Sequence, residues 1–157
     1  MKKSLLLFAT ITVLMLAGVP VRAATPNLSG EWKLNLAKSD YEKFPVPESV
    51  ARKIEHNGSK LVLTTTQKGS QGEVTSKLVY TTDGKESVNE MAGGQSKGTA
   101  QWIGDVLIIE SSREFQGVTL KQKEVWIVSP DNRTLTIDSH VTIPNGDFDV
   151  KQVFEKQ

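Results

Sequence analysis

The sequence contains no cysteine. A disulfide framework is therefore excluded, and so is the lipid-modified cysteine that anchors a bacterial lipoprotein. The chain also has little long apolar sequence, since the one extended run, at residues 5–17, is 13 residues long. A membrane-spanning helix needs roughly 20. We therefore expect no transmembrane anchor in the mature protein.

The first 23 residues have the pattern of an export signal. Two lysines precede the apolar run, the run ends at Gly18 and Pro20, and residues 21–23 (Val-Arg-Ala) form a typical cleavage site. Cleavage there leaves 134 residues, which include 16 basic and 18 acidic side chains. This balance argues against a nucleic acid partner. The sequence predicts an exported protein, periplasmic or extracellular, with one domain over residues 24–157.

Turn signals recur at short intervals along that domain. Asn57-Gly58, Asp83-Gly84 and Asn145-Gly146 are examples, and the segments between the turns are rich in Val, Ile, Thr and aromatic residues. No segment carries a helical stripe. Residues 28–36 alternate most plainly, with apolar residues and Gly30 on one face and polar residues on the other. The pattern predicts about ten antiparallel strands that follow one another.

A sheet with one apolar face must cover that face. Closing the sheet on itself would do so and would also remove its exposed edges. We predict an all-β fold, a single antiparallel up-and-down β-barrel of about 8–10 strands, with a Greek-key sandwich as the alternative. Trp32 is then either a plug at one end of the lumen or an ordinary core residue, and Gly30 would let a neighbouring backbone approach closely.

The longest irregular stretch is residues 37–49, which contain Pro45 and Pro47. These prolines predict a loop, in which Ser39-Asp40 would cap a single helical turn. Loops of this length in compact domains are often lids or binding loops, but simple connectors are as common. The role of the 37–49 loop is left open.

The first strand and the loop together resemble a known group of proteins. LSGEWKLN at residues 28–35, then AKSDY at residues 37–41 and the Pro45-x-Pro47 loop, are similar to small exported bacterial proteins described as lipocalin-like, or calycin-type. Three later segments, at residues 80–86, 102–109 and 126–137, extend the resemblance over nearly the whole domain. It implies a lipocalin-like barrel and a ligand-binding habit, and no particular activity. The outer helix of lipocalins cannot be picked out in this chain.

The more apolar phase of each strand should face the lumen, and in two places that phase carries a charge, at Arg52 and Glu124. An unpaired charge in a dry interior is costly. A salt bridge across the barrel, a water-filled lumen or a ligand with complementary groups would resolve this. Apolar walls with a few polar groups are typical of small-molecule sites. The predicted ligand-binding residues are Trp32, Arg52, Tyr80, Gln122, Glu124, Trp126 and Gln152.

Other motifs do not define a site. Residues 94–98 match the G-x-S-x-G pattern of a nucleophile elbow, but a strand rather than a helix follows them. His56 and His140 lack metal-ligand spacing, and His140 should point outward. Residues 105–113 are apolar on both faces, so their inward phase is undecided. We expect no catalytic residue, no metal and no cofactor.

Three functions are compatible with this pattern. The first is binding of a small, partly apolar molecule in the lumen without chemistry. The second is a structural or protein-interaction module of the cell envelope with a filled barrel, and the third is an enzyme whose active site is the lumen. A cavity of roughly 300 Å³ or more would favour the first, a packed interior the second. A strongly shifted pKa in the cavity would favour the third.

Overall fold

The computed structural model describes residues 25–70, 72–115 and 117–157, with the backbone alone at Phe115. The predicted export signal, residues 1–23, lies outside this part of the chain. Within it, no helix is long and apolar enough to cross a membrane. Ten strands follow one another: β1 Gly30–Leu34, β2 Ser49–Asn57, β3 Lys60–Gly69, β4 Gly72–Thr81, β5 Ser87–Met91, β6 Gly94–Ile103, β7 Val106–Phe115, β8 Val118–Val128, β9 Thr134–Ile143 and β10 Gly146–Lys156.

The strands form one antiparallel sheet in the order β4-β3-β2-β1-β10-β9-β8-β7-β6-β5. Every pair of consecutive strands except β4 and β5 is joined by a backbone ladder, and β1 also pairs with β10. In the described part of the chain the barrel is therefore open along the seam between β4 and β5. The Asn89 side chain bridges this seam by hydrogen bonding to both backbone polar groups of Val79. The protein is a nearly closed up-and-down β-barrel, which confirms the predicted fold class and not the sandwich.

The core fills the inside of this barrel. Each large side chain that becomes fully buried stabilises the fold by roughly 1.5–3 kcal/mol. The largest buried side chains come from seven of the ten strands and from the segment before β1: Trp32, Trp126, Phe154, Leu28, Ile54, Leu61, Leu107, Ile109, Leu135, Ile137 and Val50. The structure also fixes the undecided phase of β7, since Leu107 and Ile109 face inward. Val74 on β4 is an exception to this burial of inward-facing residues. It belongs to the inward phase of its strand, yet its side chain is 63% exposed.

The Gly-x-Trp of β1 has a specific packing reason. Gly30 has φ +139°, and a Cβ at this position would lie 2.7 Å from Cε of Lys156. The Lys156 ammonium lies 5.1 Å from the centroid of the Trp32 ring. The close neighbour of Gly30 is therefore a side chain that covers the indole, and not the backbone that we expected. The Trp32 Nε1 donates to the Leu28 carbonyl at 2.9 Å, so the buried indole is a core residue whose polar group is satisfied.

The segment between β1 and β2 runs along β10. It contains one 3₁₀ turn at Leu36–Lys38, capped by Asn35 and ended by Ser39. The helical turn thus lies before Ser39, and the prediction that Ser39 begins it is wrong, because the Asn35 side chain already accepts from the Lys38 amide at 3.2 Å. Asp40 then exchanges two backbone hydrogen bonds with Lys151, at 2.8 and 2.7 Å. The first half of the loop is in this way fixed to the barrel.

Candidate functional site

Arg52 extends from β2 into the barrel. Its Nε donates to the Thr65 hydroxyl on β3 at 3.1 Å, and its guanidinium carbon lies 5.0 Å from the Trp126 ring and 4.9 Å from the Phe154 ring. These rings belong to β8 and β10, so the side chain crosses the lumen and contacts aromatic faces that attract a cation. Nη1 is buried, and in the described part of the chain it has no hydrogen-bond partner. Desolvation lowers the pKa of Arg52, and the charge of Glu124 partly offsets this effect.

Glu124 lies in the same interior on β8. Its two carboxylate oxygens accept hydrogen bonds from Gln122 Nε2 at 3.0 Å and from Trp126 Nε1 at 3.1 Å. Burial raises the pKa of Glu124, while the Arg52 charge and the Trp126 hydrogen bond oppose the rise. Among the described residues, Arg52 and Glu124 interact electrostatically but form no direct ion pair. The salt bridge considered from the sequence is therefore not the arrangement that the structure shows.

Tyr80 closes the cluster from β4. It is 2% exposed, and burial together with the nearby Glu124 charge raises its pKa to about 12. A hydrogen-bonding interaction with the Ser111 side chain and the charge of Arg52 oppose this rise. The phenol therefore stays neutral at physiological pH and keeps its proton as a hydrogen-bond donor.

A cavity lies above this cluster, at the mouth of the barrel. Gln152 on β10 donates to the Tyr41 hydroxyl at 2.8 Å, and both side chains line a cavity of about 180 Å³ together with Phe44 and Pro45 from the loop and Gln122 from β8. Burial raises the pKa of Tyr41. Larger depressions of about 400 and 570 Å³ lie on the outer face and at the rim, among exposed side chains.

The structure brings most of the predicted site residues together. Arg52, Glu124, Trp126, Gln122 and Tyr80 form one cluster inside the barrel. Two further predicted residues lie beside it. Gln152 belongs to the mouth cavity, and Trp32 is the register partner of Arg52. Since the indole nitrogen of Trp32 already donates to a carbonyl, this residue contributes an apolar wall.

Sequence reasoning missed Thr65, Tyr41 and Ser111. Thr65 had a usable signal, because it has the same phase as Leu61 and Leu63, which were expected to face inward. Ser111 was hidden by the undecided phase of β7. Tyr41 lies in the loop, where strand alternation predicts nothing, so its insertion into the mouth depends on the path of the loop along β10.

The rejected motifs do not form a site in the structure either. Ser96 lies buried within β6, opposite Asn89 and Arg113 in register, and not on a strand-to-helix turn. His140 is on the outer surface, with Nδ1 2.7 Å from Asp149 Oδ1. His56 points inward and stacks on the Trp102 ring at 5.9 Å. In residues 25–70, 72–115 and 117–157, no group of three or more His, Asp or Glu could hold a metal ion.

Comparison with known proteins shows the class of fold. No protein-family model and no curated protein matches the chain. A structure of the REP1-NXSQ fatty acid transporter is 13% identical with a TM-score of 0.60, and the match covers 83% of this chain and 96% of that chain. The zebrafish ileal bile acid-binding protein, complexed with cholic acid, is 23% identical with a TM-score of 0.54, over 83% of this chain and 98% of that one.

A third structure, of a fatty acid-binding protein from brain tissue of Drosophila melanogaster, is 20% identical with a TM-score of 0.54, over 82% of this chain and 99% of that one. At these identities the similarity defines the fold. It is the fold of lipocalin-like and fatty acid-binding β-barrels, and these neighbours are proteins of binding and transport.

Proposed function

We propose that the protein binds a small amphipathic molecule inside its barrel, with a negatively charged or hydrogen-bond-accepting group of that molecule at Arg52. The observation that carries the proposal is Arg52 Nη1, a buried cationic donor that no described residue satisfies. A buried donor without a partner costs about 1–3 kcal/mol, and more when it is charged. A ligand oxygen would remove this cost, and carboxylates match the guanidinium group well.

The surroundings of Arg52 fit the rest of such a molecule. The rings of Trp126 and Phe154 flank the guanidinium, and buried Ile137 and Leu135 on β9 extend the apolar wall. Two structural neighbours support the same chemistry. One is a fatty acid transporter and another is a bile acid-binding protein complexed with cholic acid, and both fatty acids and cholic acid join a carboxyl group to an apolar body.

The size of the cavity limits how the molecule fits. About 180 Å³ is less than the roughly 300 Å³ of typical ligand pockets. The outer wall of the cavity includes Tyr41, Phe44 and Pro45, and Phe44 is 41% exposed and touches the Phe148 ring at 5.8 Å. We propose that this half of the loop moves outward when a ligand is bound, while the half that pairs with β10 stays in place.

One observation favours a second function. The mouth cavity is small, and the rest of the barrel interior is densely filled by side chains. Both features fit a structural or protein-interaction module that holds no ligand. The raised pKa of Glu124 is the feature that would fit an active site. However, both oxygens of Glu124 already accept hydrogen bonds, so the carboxylate orients other groups rather than standing ready to transfer a proton. We therefore propose binding without chemistry.

Native mass spectrometry of the protein purified from its own host tests the proposal. We expect a co-purifying molecule in the parent protein and its loss in Arg52→Met, which preserves bulk and removes the cation. Lys53→Met is the matched control, because Lys53 is the next residue on β2 and its side chain is 59% exposed. Parent protein that carries no molecule, or equal retention by Arg52→Met and Lys53→Met, would favour the filled module.

We also propose that the protein is exported, as the pattern of residues 1–23 predicts. Sequencing of the N-terminus of the protein from its host checks this directly. We expect Ala24 as the first residue, and a mature chain that begins at Met1 would contradict export by this signal.

A further inference from the structure

The barrel interior holds one cation and one carboxylate that act on each other without forming a direct ion pair. Arg52 reaches in from β2 and Glu124 from β8, and the charge of each affects the pKa of the other. Because the two charges are opposite, they balance each other. Desolvation is the largest effect on the pKa of both groups, so an unbalanced charge in this environment is costly.

The elements packed around Glu124 add no further charge beside it. Its register partners are Ile109 on β7 and Ser139 on β9, which do not titrate. Burial raises the pKa of Tyr80 on β4 to about 12 and also raises the pKa of Tyr41 in the loop. Both phenols are therefore neutral at physiological pH.

Two other titratable side chains of the inward phase lie farther along the barrel. His56 is four residues from Arg52 on β2, and Arg113 is four residues from Ile109 on β7, which is about 13 Å along each strand. Burial lowers the pKa of His56, so its ring is neutral at physiological pH. Arg113 lines the mouth cavity. Its charge is thus at the mouth and not beside Glu124.

The next step rests on the proposed function, in which an anion binds at Arg52. The anion becomes the counter-charge of the guanidinium, and the Glu124 carboxylate is then a second negative charge in the same interior. A like charge nearby disfavours the ionised form of a carboxyl group. We propose that the protein takes up one proton on Glu124 when it binds an anion, so that anion and proton are held together.

The Glu124 carboxylate has a place for this proton. In the free protein, the Arg52 charge and the Trp126 hydrogen bond favour the ionised form. A carboxylate has about four lone-pair sites, and Gln122 and Trp126 use one on each oxygen, at 3.0 and 3.1 Å. The proton comes from solvent and stays on Glu124. It is not passed to the ligand, so the event is binding linked to protonation and not catalysis.

This coupling makes the affinity for anions depend on pH. The bound anion raises the pKa of Glu124, so affinity is highest below the pKa of the free protein. It falls by up to about tenfold for each pH unit until the pKa of the complex is reached, and then stays constant. A neutral ligand of the same shape leaves the charge balance unchanged. An anion is therefore retained at low pH and released more easily at higher pH.

Calorimetric titration with dodecanesulfonate and dodecanol, below their aggregation limits, tests the coupling. The two compounds share an apolar chain, and the sulfonate stays ionised throughout the pH series, so a proton taken up must be on the protein. Titrations in phosphate and in Tris, which differ in ionisation enthalpy, count the protons. We expect the parent protein to take up as much as one proton with the sulfonate and none with dodecanol.

Glu124→Gln and Glu110→Gln are matched variants, because Glu110 is on the outer face and its side chain is 57% exposed. Glu124→Gln should bind the sulfonate without proton uptake and with an affinity that does not change with pH, since the amide resembles the neutral carboxyl group. At high pH it should bind about tenfold more tightly than the parent, a change of about 1.4 kcal/mol. Glu110→Gln should behave as the parent does. Thermal unfolding shows whether each variant is folded.

The results distinguish the coupling from the anion site itself. Sulfonate binding by the parent without proton uptake, or uptake that persists in Glu124→Gln, would overturn the coupling and leave the anion site in place. Failure of the parent to bind the sulfonate at any pH would overturn the anion site at Arg52, and the coupling with it. The proton count comes from the parent protein, so the test holds even if Glu124→Gln does not fold.

Discussion

The side chain of Asn89 binds both backbone polar groups of Val79, accepting from the amide at 2.7 Å and donating to the carbonyl at 3.1 Å. An asparagine amide offers an acceptor oxygen and N–H donors in one plane, and the oxygen with one N–H reproduces the acceptor and donor that a residue of a paired strand would present. One buried side chain on β5 thus replaces the missing ladder between β4 and β5. The barrel is closed at this point by a side chain and elsewhere by backbone.

Asn89→Ala should weaken the seam. The substitution leaves the amide and carbonyl of Val79 without partners, and we expect a loss of about 1–3 kcal/mol in the free energy of unfolding. Asn89→Asp keeps the acceptor, replaces the donor by a carboxylate facing a carbonyl, and should cost at least as much. Hydrogen exchange of the Val79 amide checks the cause. If that amide stays as protected in Asn89→Ala as in the parent, the side chain does not hold the seam.

Gly30→Ala should destabilise the barrel mainly through its backbone. At φ +139° a residue with a Cβ is strained, and such strain costs about 1–3 kcal/mol. The contact with Lys156 is the smaller part, since the far end of that flexible side chain can move. Denaturant unfolding of Gly30→Ala and of Gly30→Ala/Lys156→Ala separates the two effects. Full recovery in the double variant would show that the contact, and not the backbone, is the reason for the glycine.

Arg52 and Glu124 should be energetically coupled although they form no direct ion pair. Arg52→Met leaves a buried carboxylate without a nearby cation, and we expect it to cost about 3 kcal/mol. Glu124→Gln keeps an oxygen and an amide of the same size, but leaves Arg52 without a counter-charge. The double variant Arg52→Met/Glu124→Gln should be more stable than the sum of the single effects predicts, by about 0.5–3 kcal/mol. Additive effects would contradict the coupling.

The pH dependence of stability provides a second test of Glu124. Its pKa is raised in the folded protein, so the folded state binds its proton more tightly than the unfolded state does. Stability should therefore fall as the pH rises from about 4.5 through the folded-state pKa. Glu124→Gln should remove this slope, whereas a substitution at exposed Glu110 should not. An unchanged slope in Glu124→Gln would assign the raised pKa to another group.

The two histidines should titrate on opposite sides of the ordinary value of 6.5. The hydrogen bond to Asp149 is the largest cause that raises the pKa of His140, and Asp147 adds to it. Lys123 on β8 lies opposite His140 in register. Its ammonium forms an ion pair with Glu110 at 2.8 Å. Because the folded state favours the protonated form, the stabilisation from His140 is complete below pH 6.5 and is lost as the pH rises through the folded-state pKa.

His56 has the reverse sign. Burial lowers its pKa and the Gly58 carbonyl only partly opposes this, so stability falls as the pH drops below 6.5 toward the folded-state value. NMR titration of the two ring protons measures both values, and His140→Gln and His56→Gln assign the signals. Two pKa values on the same side of 6.5 would contradict the positions that the structure gives to these rings.

The strand phases that could be predicted are those with strict alternation. On β2, the apolar residues Val50 and Ile54 fix the phase of Arg52 between them, and on β8 Trp126 does the same for Glu124. β7 has apolar residues on both faces, and Val106 and Ile108 lie partly exposed on the outside. Its phase follows only from its pairing with β8, in which Leu107 lies opposite Trp126.

Other features depend on contacts between distant segments. The sequence predicts that Arg52 and Glu124 face the same interior, but it does not predict that Gln122 and Trp126 hold the carboxylate. The closure by Asn89 is likewise invisible, since β5 is short and an asparagine in a strand has several structural roles. The side chain that lies closest to Gly30, Lys156, comes from 126 residues further along the chain.

The most direct test of a ligand held by its anionic group is calorimetric titration of the purified protein with dodecanoate and with dodecanol, which share an apolar chain and differ in charge. We expect the parent protein to bind dodecanoate more tightly than dodecanol, and Arg52→Met to lose this difference while Lys53→Met keeps it. Equal affinity of the parent for the two compounds, or a preference for dodecanoate that survives in Arg52→Met, would contradict a lumen organised around the Arg52 guanidinium.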